Sequence, residues 1–566
     1  MKRIISVLTG LCMLTASLCG PAANIAYAVD FDVPEGWVLI TEKSGTCGDN
    51  ITWLLETNGT LTISGSGKMY DYDFDNRPPY LDRYSPNVRN IIVQGKLTHI
   101  GNYAFYGCES VETATIPDSV TSIGDHAFHR CCRMTTFNIP SKVTSIGESA
   151  FCGCAVLPAV TIPKGVTVIN DYAFCGCNSL TSLKIPDGVT SIGLFAFSSC
   201  GNLTSVTIPD GVTELKSGCF SHCTNLKTVN LPKNAKYIVD QAFEECTNLT
   251  SVKIPDSVEW IGNSAFRKCS SLTSVNIPAN VYSISSETFA QCPSLTAINV
   301  SAKNAEYTSV DGVVYSKDKK DLEVYPGGKK GAFTVPSTVK TIKRESFYGC
   351  MGVTSVTIPE NVRFIEEYAF RECGNMTSVF MSDSFNWIQE GTFADCTSLT
   401  SVTLPDEMKY IDKLAFSGCS SLTSVTIPES VTNIGKSAFE NCRKLSSVRI
   451  LNPDCKIYDD ASTFTTAKDI FIGVFRGYEG STVQEYAKNY ERRFAVLEEE
   501  KFALGDLNGD EHIDVTDITI LSTHLLCDKK MKRAGLKAAD VDSDGEVALT
   551  DLARLRQYVS KIITEF

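Results

Sequence analysis

Histidine and tryptophan are scarce here, with 6 and 4 residues in a chain of 566. Hydrolytic chemistry needs a positioned carboxylate pair, a nucleophile with its base, or a metal-held water. No sequence signature for any of these is present, so no enzyme is expected. His99, His126, His129 and His222 are scattered without the spacing of a metal site, and solvated or structural roles are expected of them. Positive charge is also short: 52 Lys and Arg stand against 65 Asp and Glu, a net charge of -13. That balance argues against nucleic acid and anionic lipid as partners, because both need a basic footprint. Beyond the N-terminal segment no stretch approaches the roughly 20 apolar residues that span a bilayer, so membrane insertion is not expected.

The N-terminal segment itself has a charged start, Met1-Lys2-Arg3, an apolar middle, and Ala26-Tyr27-Ala28 as a small-residue cleavage site. This is the pattern of a secretory signal over residues 1–28. A mature chain starting at Val29 would be secreted and extracellular.

What dominates the rest is one unit written many times: Ile-Gly-x-x-Ala-Phe-x-x-Cys-x-x-Leu-x-x-Val-x-Ile-Pro-x-x-Val. Phenylalanine recurs every 23 residues from Phe105 to Phe289 and again from Phe347 to Phe439, and cysteine follows three residues later each time, from Cys108 to Cys442. A fixed period of this size predicts a solenoid, in which one unit cannot bury its apolar face and must stack on its neighbours. Within a unit, Leu180, Leu183 and Ile185 alternate with polar Ser182 and Lys184, a short strand with one buried face. Pro186 ends it, and Val189 and Ile192 begin a second apolar return.

These columns resemble the cysteine-bearing, BspA-like (type 5) leucine-rich repeats over about residues 45 to 497. The resemblance implies a mainly β-rich solenoid with repeats over 97–450, an N-terminal cap over 29–96 and a C-terminal cap over 451–497. Between Phe289 and Phe347 the step is 58, two periods plus twelve. Asp311-Gly312 between apolar runs signals a hairpin turn, so a β-hairpin projecting from the spine is expected at about 301–335. A short capping helix is expected to start at Ser481, and residues 498–503 read as a linker.

Fourteen columnar cysteines occupy one corner of the repeats, where a small buried residue with a weak S–H donor suits the turn. Structural thiols are the favoured reading; bridges between neighbouring units, with Cys152 and Cys175 the first pair to test, and metal binding stay open. The outward strand column, from Thr115 through Asn138, Thr161 and Lys184 to Arg449, is small and polar, with Phe380 its lone aromatic. A solvated ladder, a protein-binding face and a glycan-binding face are the alternatives for it.

The constellation that demands a ligand lies near the C-terminus. Asp506, Asn508, Asp510, His512, Asp514 and Asp517 fall at positions 1, 3, 5, 7, 9 and 12 of one loop; Asp540, Asp542, Asp544, Glu546 and Asp551 fall at 1, 3, 5, 7 and 12 of a second. Oxygen donors at these spacings, with a backbone carbonyl at position 7, wrap a hard cation, so two Ca²⁺ are expected. Position 6 of the first loop is Glu511 instead of Gly, and position 9 of the second is Ala548, so the two affinities should differ. Each loop precedes a helical apolar stripe, Ile518, Leu521, Leu525 and Leu526 in one copy and Leu552, Leu555, Tyr558, Val559 and Ile562 in the other. The unit is read as loop–helix, linker, loop–helix.

Both loops end in Asp, not the bidentate Glu of an EF-hand, and no entering helix precedes the first. The arrangement over 504–566 resembles a type I dockerin, a small all-α domain with paired EF-hand-like loops. The resemblance implies Ca²⁺-dependent binding to a cohesin module of a scaffoldin, within a cellulosome. It places the cohesin contacts on Val515, Thr516, Ser522 and Thr523 in the first copy and Leu549, Thr550, Arg556 and Gln557 in the second. Two functions follow. The first is a non-catalytic cellulosome-associated protein whose dockerin tethers it while the solenoid meets an unidentified protein or surface; the second is a carbohydrate-binding or carbohydrate-active component in plant polysaccharide degradation.

Overall fold

The computed structural model describes residues 43–81, 87–285, 287–465, 470–498, 503–508, 512–527 and 533–561. The expected signal segment, most of the 498–503 linker, Asp510 and Ile562 lie outside them. The chain divides into two units, Met1–Thr354 with Phe364–Asn375, and Ser355–Arg363 with Met376–Phe566.

The first unit opens on a meander of β1 (Lys43–Gly48), β2 (Ile51–Leu55) and β3 (Thr60–Lys68), paired antiparallel, with β4 (Asn90–Ile100) parallel to β3. From there each repeat contributes one rung. Outer strands pair in parallel one period apart, as in Ser182↔Ala159 and Ser205↔Thr228, and the returns pair likewise, as in Ile169↔Ile192. The consensus residues explain the stacking. Phe128, Phe151, Phe174 and Phe197 are fully buried, with successive ring centroids 5.4–5.5 Å apart and planes within 5° of parallel. The glycine after Ile is a packing requirement at such a rung: a Cβ on Gly147 would lie 2.4 Å from Asp125 Oδ1 and 2.5 Å from its amide nitrogen.

Cysteine closes the turn as expected of a structural thiol. Sγ of Cys131, Cys154, Cys177, Cys200, Cys223, Cys246, Cys269 and Cys292 donates to the carbonyl of the phenylalanine 26 residues earlier, at 3.2–3.5 Å. Burial pushes the Cys154, Cys223 and Cys292 thiols up to about 12. Such groups stay protonated donors and are poor nucleophiles. Cys152 and Cys175 lie in a separate small cluster with Tyr172 and Phe195.

The insertion departs from expectation. The hairpin of Tyr307–Val310 and Val313–Ser316 forms, with Asp311 and Gly312 at φ 49° and 78° in its turn, but it does not project. Val313, Val314 and Tyr315 are buried, Gly312 accepts the Ile298 N–H, and Asp321–Val324 pairs with the hairpin on one side and with Thr341–Ile342 on the other. The insertion is thus a layer of the solenoid, held there by its apolar side chains. The ring column also continues through it: Tyr325 stacks on Phe347 at 4.5 Å and its carbonyl accepts from Cys350 Sγ.

In the second unit Phe393, Phe416, Phe439 and Phe464 stack at 5.4, 5.2 and 5.0 Å, so the column runs one rung beyond the last periodic phenylalanine. Helix α1 (Thr482–Asn489) follows Ser481 as expected and buries Val483, Tyr486 and Ala487. The same unit holds α2 (Val515–Cys527), α3 (Arg533–Ala539) and α4 (Leu549–Val559). Their core is Leu507, Leu521, Ala538, Ala539, Leu552 and Leu555. Helix α3 lies in the segment read as the linker between the two loop–helix copies, and it supplies Ala538 and Ala539 to the core. Leu526, expected in the buried stripe, is 66% exposed.

Candidate metal centre

In the second loop, carboxylate oxygens of Asp540, Asp542 and Asp544 lie within 4.8 Å of one another. Backbone amides hold them there. Asp540 Oδ1 accepts the Asp544 N–H at 3.0 Å and its Oδ2 accepts that of Gly545 at 3.0 Å; Asp544 Oδ1 accepts the Glu546 N–H at 2.9 Å. Gly545 makes the turn at φ +91°, a region glycine enters without cost. Three converging carboxylates repel one another unless a cation sits among them, and an all-oxygen set suits a hard ion such as Ca²⁺.

The position-12 aspartate is the closing bond of each loop. Asp551 is fully buried; Oδ1 accepts the Val541 N–H at 2.8 Å and Oδ2 accepts that of Ala548 at 2.8 Å. Asp517, also fully buried, repeats the arrangement with Leu507 at 2.7 Å and Asp514 at 2.8 Å. The offsets of 10 and 3 residues are identical in the two copies. Asp551 Oδ1 also accepts the Asp542 N–H at 3.3 Å, so Oδ2, with two lone pairs and one donated N–H, is the oxygen that keeps a lone pair for an ion.

The copies differ at position 9. Asp514 Oδ1 accepts the Thr516 N–H at 2.6 Å, which caps α2 and holds the carboxyl below the usual carboxylate range. With Asp517 reaching back to the Asp514 amide, this is a capping box. Ala548 offers no side-chain cap to α4. The sequence pattern Asp-x-x-Asp before an apolar run carried that signal, but the spacing also served the ligand reading.

Asp506 is buried and Asn508 and His512 are exposed at the first loop; Asp542 is half-buried and Glu546 exposed at the second. Of the expected docking residues, Val515 and Leu549 are 67% and 61% exposed, and Thr516, Thr550, Arg556 and Gln557 are exposed too. Ser522 and Thr523 are half-buried, and Thr523 Oγ1 donates to the carbonyls of Thr519 and Ile520 at 2.9 Å.

A stacked-rung solenoid with a thiol at each corner, together with paired acidic loops on short helices, defines a leucine-rich repeat protein bearing a calcium-module domain. The BspA type leucine rich repeat region family matches residues 82–202, 190–310 and 329–461, and the dockerin type I domain matches 504–560. The chain belongs to the BspA type leucine-rich repeat family and carries a type I dockerin, a module type that binds calcium. Similar solved structures include a leucine-rich repeat protein from Bacteroides ovatus, 27% identical, covering 80% of this chain and 99% of that one, TM-score 0.39. A leucine rich cell surface protein from Faecalibacterium prausnitzii is 26% identical, covering 76% and 99%, TM-score 0.41. The pneumococcal vaccine antigen PcpA is 18% identical, covering 81% and 99%, TM-score 0.35. No curated protein matches the chain. Among the described residues no helix is long and apolar enough to cross a membrane.

Proposed function

We propose that this chain is a secreted, non-catalytic interaction protein that docks on a scaffold-borne cohesin and presents its solenoid to a protein or surface. The domain bounds follow the sequence: signal 1–28, cap 29–96, repeats 97–450, cap 451–497, linker 498–503 and dockerin 504–566. Two Ca²⁺ are held by Asp506, Asn508, Asp510, the His512 carbonyl and Asp517 in one loop, and by Asp540, Asp542, Asp544, the Glu546 carbonyl and Asp551 in the other. Asp514 joins the first set through water if it keeps its cap.

The observation that carries this reading is the identical closure of both loops by buried Asp517 and Asp551. A buried carboxylate needs compensation, and two amide donors plus an ion supply it. Ca²⁺ binding then becomes folding free energy for a domain whose buried core is small. With the ion bound, exposed Val515 and Leu549 stand at equivalent places at the starts of α2 and α4. These apolar residues, with Thr516 and Thr550 beside them, would form the centre of a cohesin interface, and Ser522, Thr523, Arg556 and Gln557 its continuation. Binding of the calcium-loaded chain to an array of cohesins, with capture lost on chelation, tests the reading.

A further inference from the structure

The solenoid's return strands carry a second outward column, separate from the polar one. In the second unit Trp387–Ile388, Tyr410–Ile411, Asn433–Ile434 and Lys456–Ile457 pair in parallel, with Trp387, Tyr410, Asn433 and Lys456 in register and the isoleucines facing inward. They line a groove of about 470 Å³. Trp387 and Tyr410 form one end, with ring centroids 6.1 Å apart and planes at 66°. Tyr458 forms the other, with the Lys436 ammonium 5.9 Å from its ring centroid. The three rings are 45%, 47% and 49% exposed, more than a buried aromatic of a packed core ever is.

The middle is open for a stated reason. Gly435 occupies the position after isoleucine, where its Cβ would meet the Lys413 amide at 2.4 Å, so no side chain fills the space between Asp412 and Tyr458. Around it, a carboxylate, an amide and an ammonium supply both donors and acceptors. Asp412 and Lys456 cancel in charge, and the Lys436 ammonium beside Tyr458 is paired with Asp460 at 3.4 Å. Half-exposed rings beside convergent polar groups of zero net charge complement a neutral ligand with apolar faces and hydroxylated edges.

We propose that this groove binds a neutral oligosaccharide, whose pyranose C–H faces lie on Trp387 and Tyr410 and whose hydroxyls bond to Asp412 and Asn433. The proposal names the ligand class of the solenoid and rests on the reading of the solenoid as a binding module; it is independent of the acidic loops.

Affinity electrophoresis of the whole calcium-loaded chain through xylan, mixed-linkage β-glucan, mannan and starch, with polygalacturonate as the anionic comparison, is the test. At least one neutral polysaccharide is expected to retard the chain, with Trp387→Ala and Tyr410→Ala each weakening retention by roughly tenfold and Trp387→Phe keeping most of it. Among described tryptophans Trp53 is buried and Trp260 half-buried, so bound sugar should shield Trp387 emission from acrylamide. Retention by polygalacturonate alone, no retention by any neutral polymer, or undiminished retention of Trp387→Ala would each overturn it. Cohesin capture by the variants reports separately on the tether: its loss in the parent chain sinks the docking reading and leaves the groove assay intact.

Discussion

Replacing Asp551 probes the closing bond of the second loop. The carboxylate is fully buried and accepts amide hydrogens from Val541 and Ala548 at 2.8 Å and from Asp542 at 3.3 Å. In Asp551→Asn the new NH₂ must face one of those donors, leaving at least one buried N–H unpaired. An orphan of that kind costs about 1–3 kcal/mol. One formal charge is also lost from the ion's shell. Together these weaken the second Ca²⁺ site by roughly tenfold or more, since about 1.4 kcal/mol is a factor of ten. Asp551→Ala orphans the amides on both sides and should reduce the ion count from two to one, with the Asp517 loop intact. Calorimetric Ca²⁺ titration of the whole chain reads both numbers. Thr550→Ala, on an exposed neighbour, should leave the titration unchanged. If Asp551→Ala still binds two ions with parental affinity, the closure argument is refuted.

Phe197 is fully buried between Phe174 and Phe220, at 5.5 and 5.3 Å, so Phe197→Ala should cost about 3–5 kcal/mol; a change in urea midpoint equivalent to less than about 1 kcal/mol would contradict the stacked-ring account. Cys200 Sγ donates to the Phe174 carbonyl at 3.4 Å, but that carbonyl keeps the Cys177 N–H at 3.3 Å. Cys200→Ala should therefore cost only about 1–2 kcal/mol, read in the same denaturation, and a loss matching Phe197→Ala would argue for a role beyond packing. Burial raises Glu323 to about 7, with Asp321 and Glu366 adding to the shift and Lys343 opposing it. The folded carboxyl then holds a proton that the unfolded chain has released, so its contribution to stability falls as pH rises from about 4.5 to 7, by at most ~3 kcal/mol. Melting curves of the parent and Glu323→Gln should converge near pH 4.5 and separate toward neutral pH with the variant more stable; parallel curves would refute the shift.

The period was legible because every rung meets the same neighbours, so Phe, Cys and Ile recur in fixed columns. Tyr325 and Phe464 belong to the ring column but fall off the 23-residue step, because bulged or inserted backbone still delivers a ring to the same place. Residues two before the phenylalanines, such as Ser149 at φ 53° and Tyr172 at φ 57°, are left-handed without being glycine. Ladder hydrogen bonds impose that backbone, and no composition cue marks it. Helix α3 spans only seven residues, Arg533–Ala539, and Gly535 inside it weakens any helical signal. The Ca²⁺ ligand types were legible from spacing, whereas the capping role of Asp514 needed the distance to Thr516. The aromatic groove has no mark in the sequence, because Trp387 and Tyr410 lie on the return strand, one residue before the inward isoleucine, and only the stacking of the rungs brings them side by side.

Equilibrium binding of the whole chain to a panel of cohesins, with saturating Ca²⁺ and then with chelator, tests the central claim most directly. The account predicts tight binding to at least one cohesin with calcium, none with chelator, and none for the double variant Asp506→Ala and Asp540→Ala. Undiminished binding of that variant, or binding that survives chelation, would contradict it.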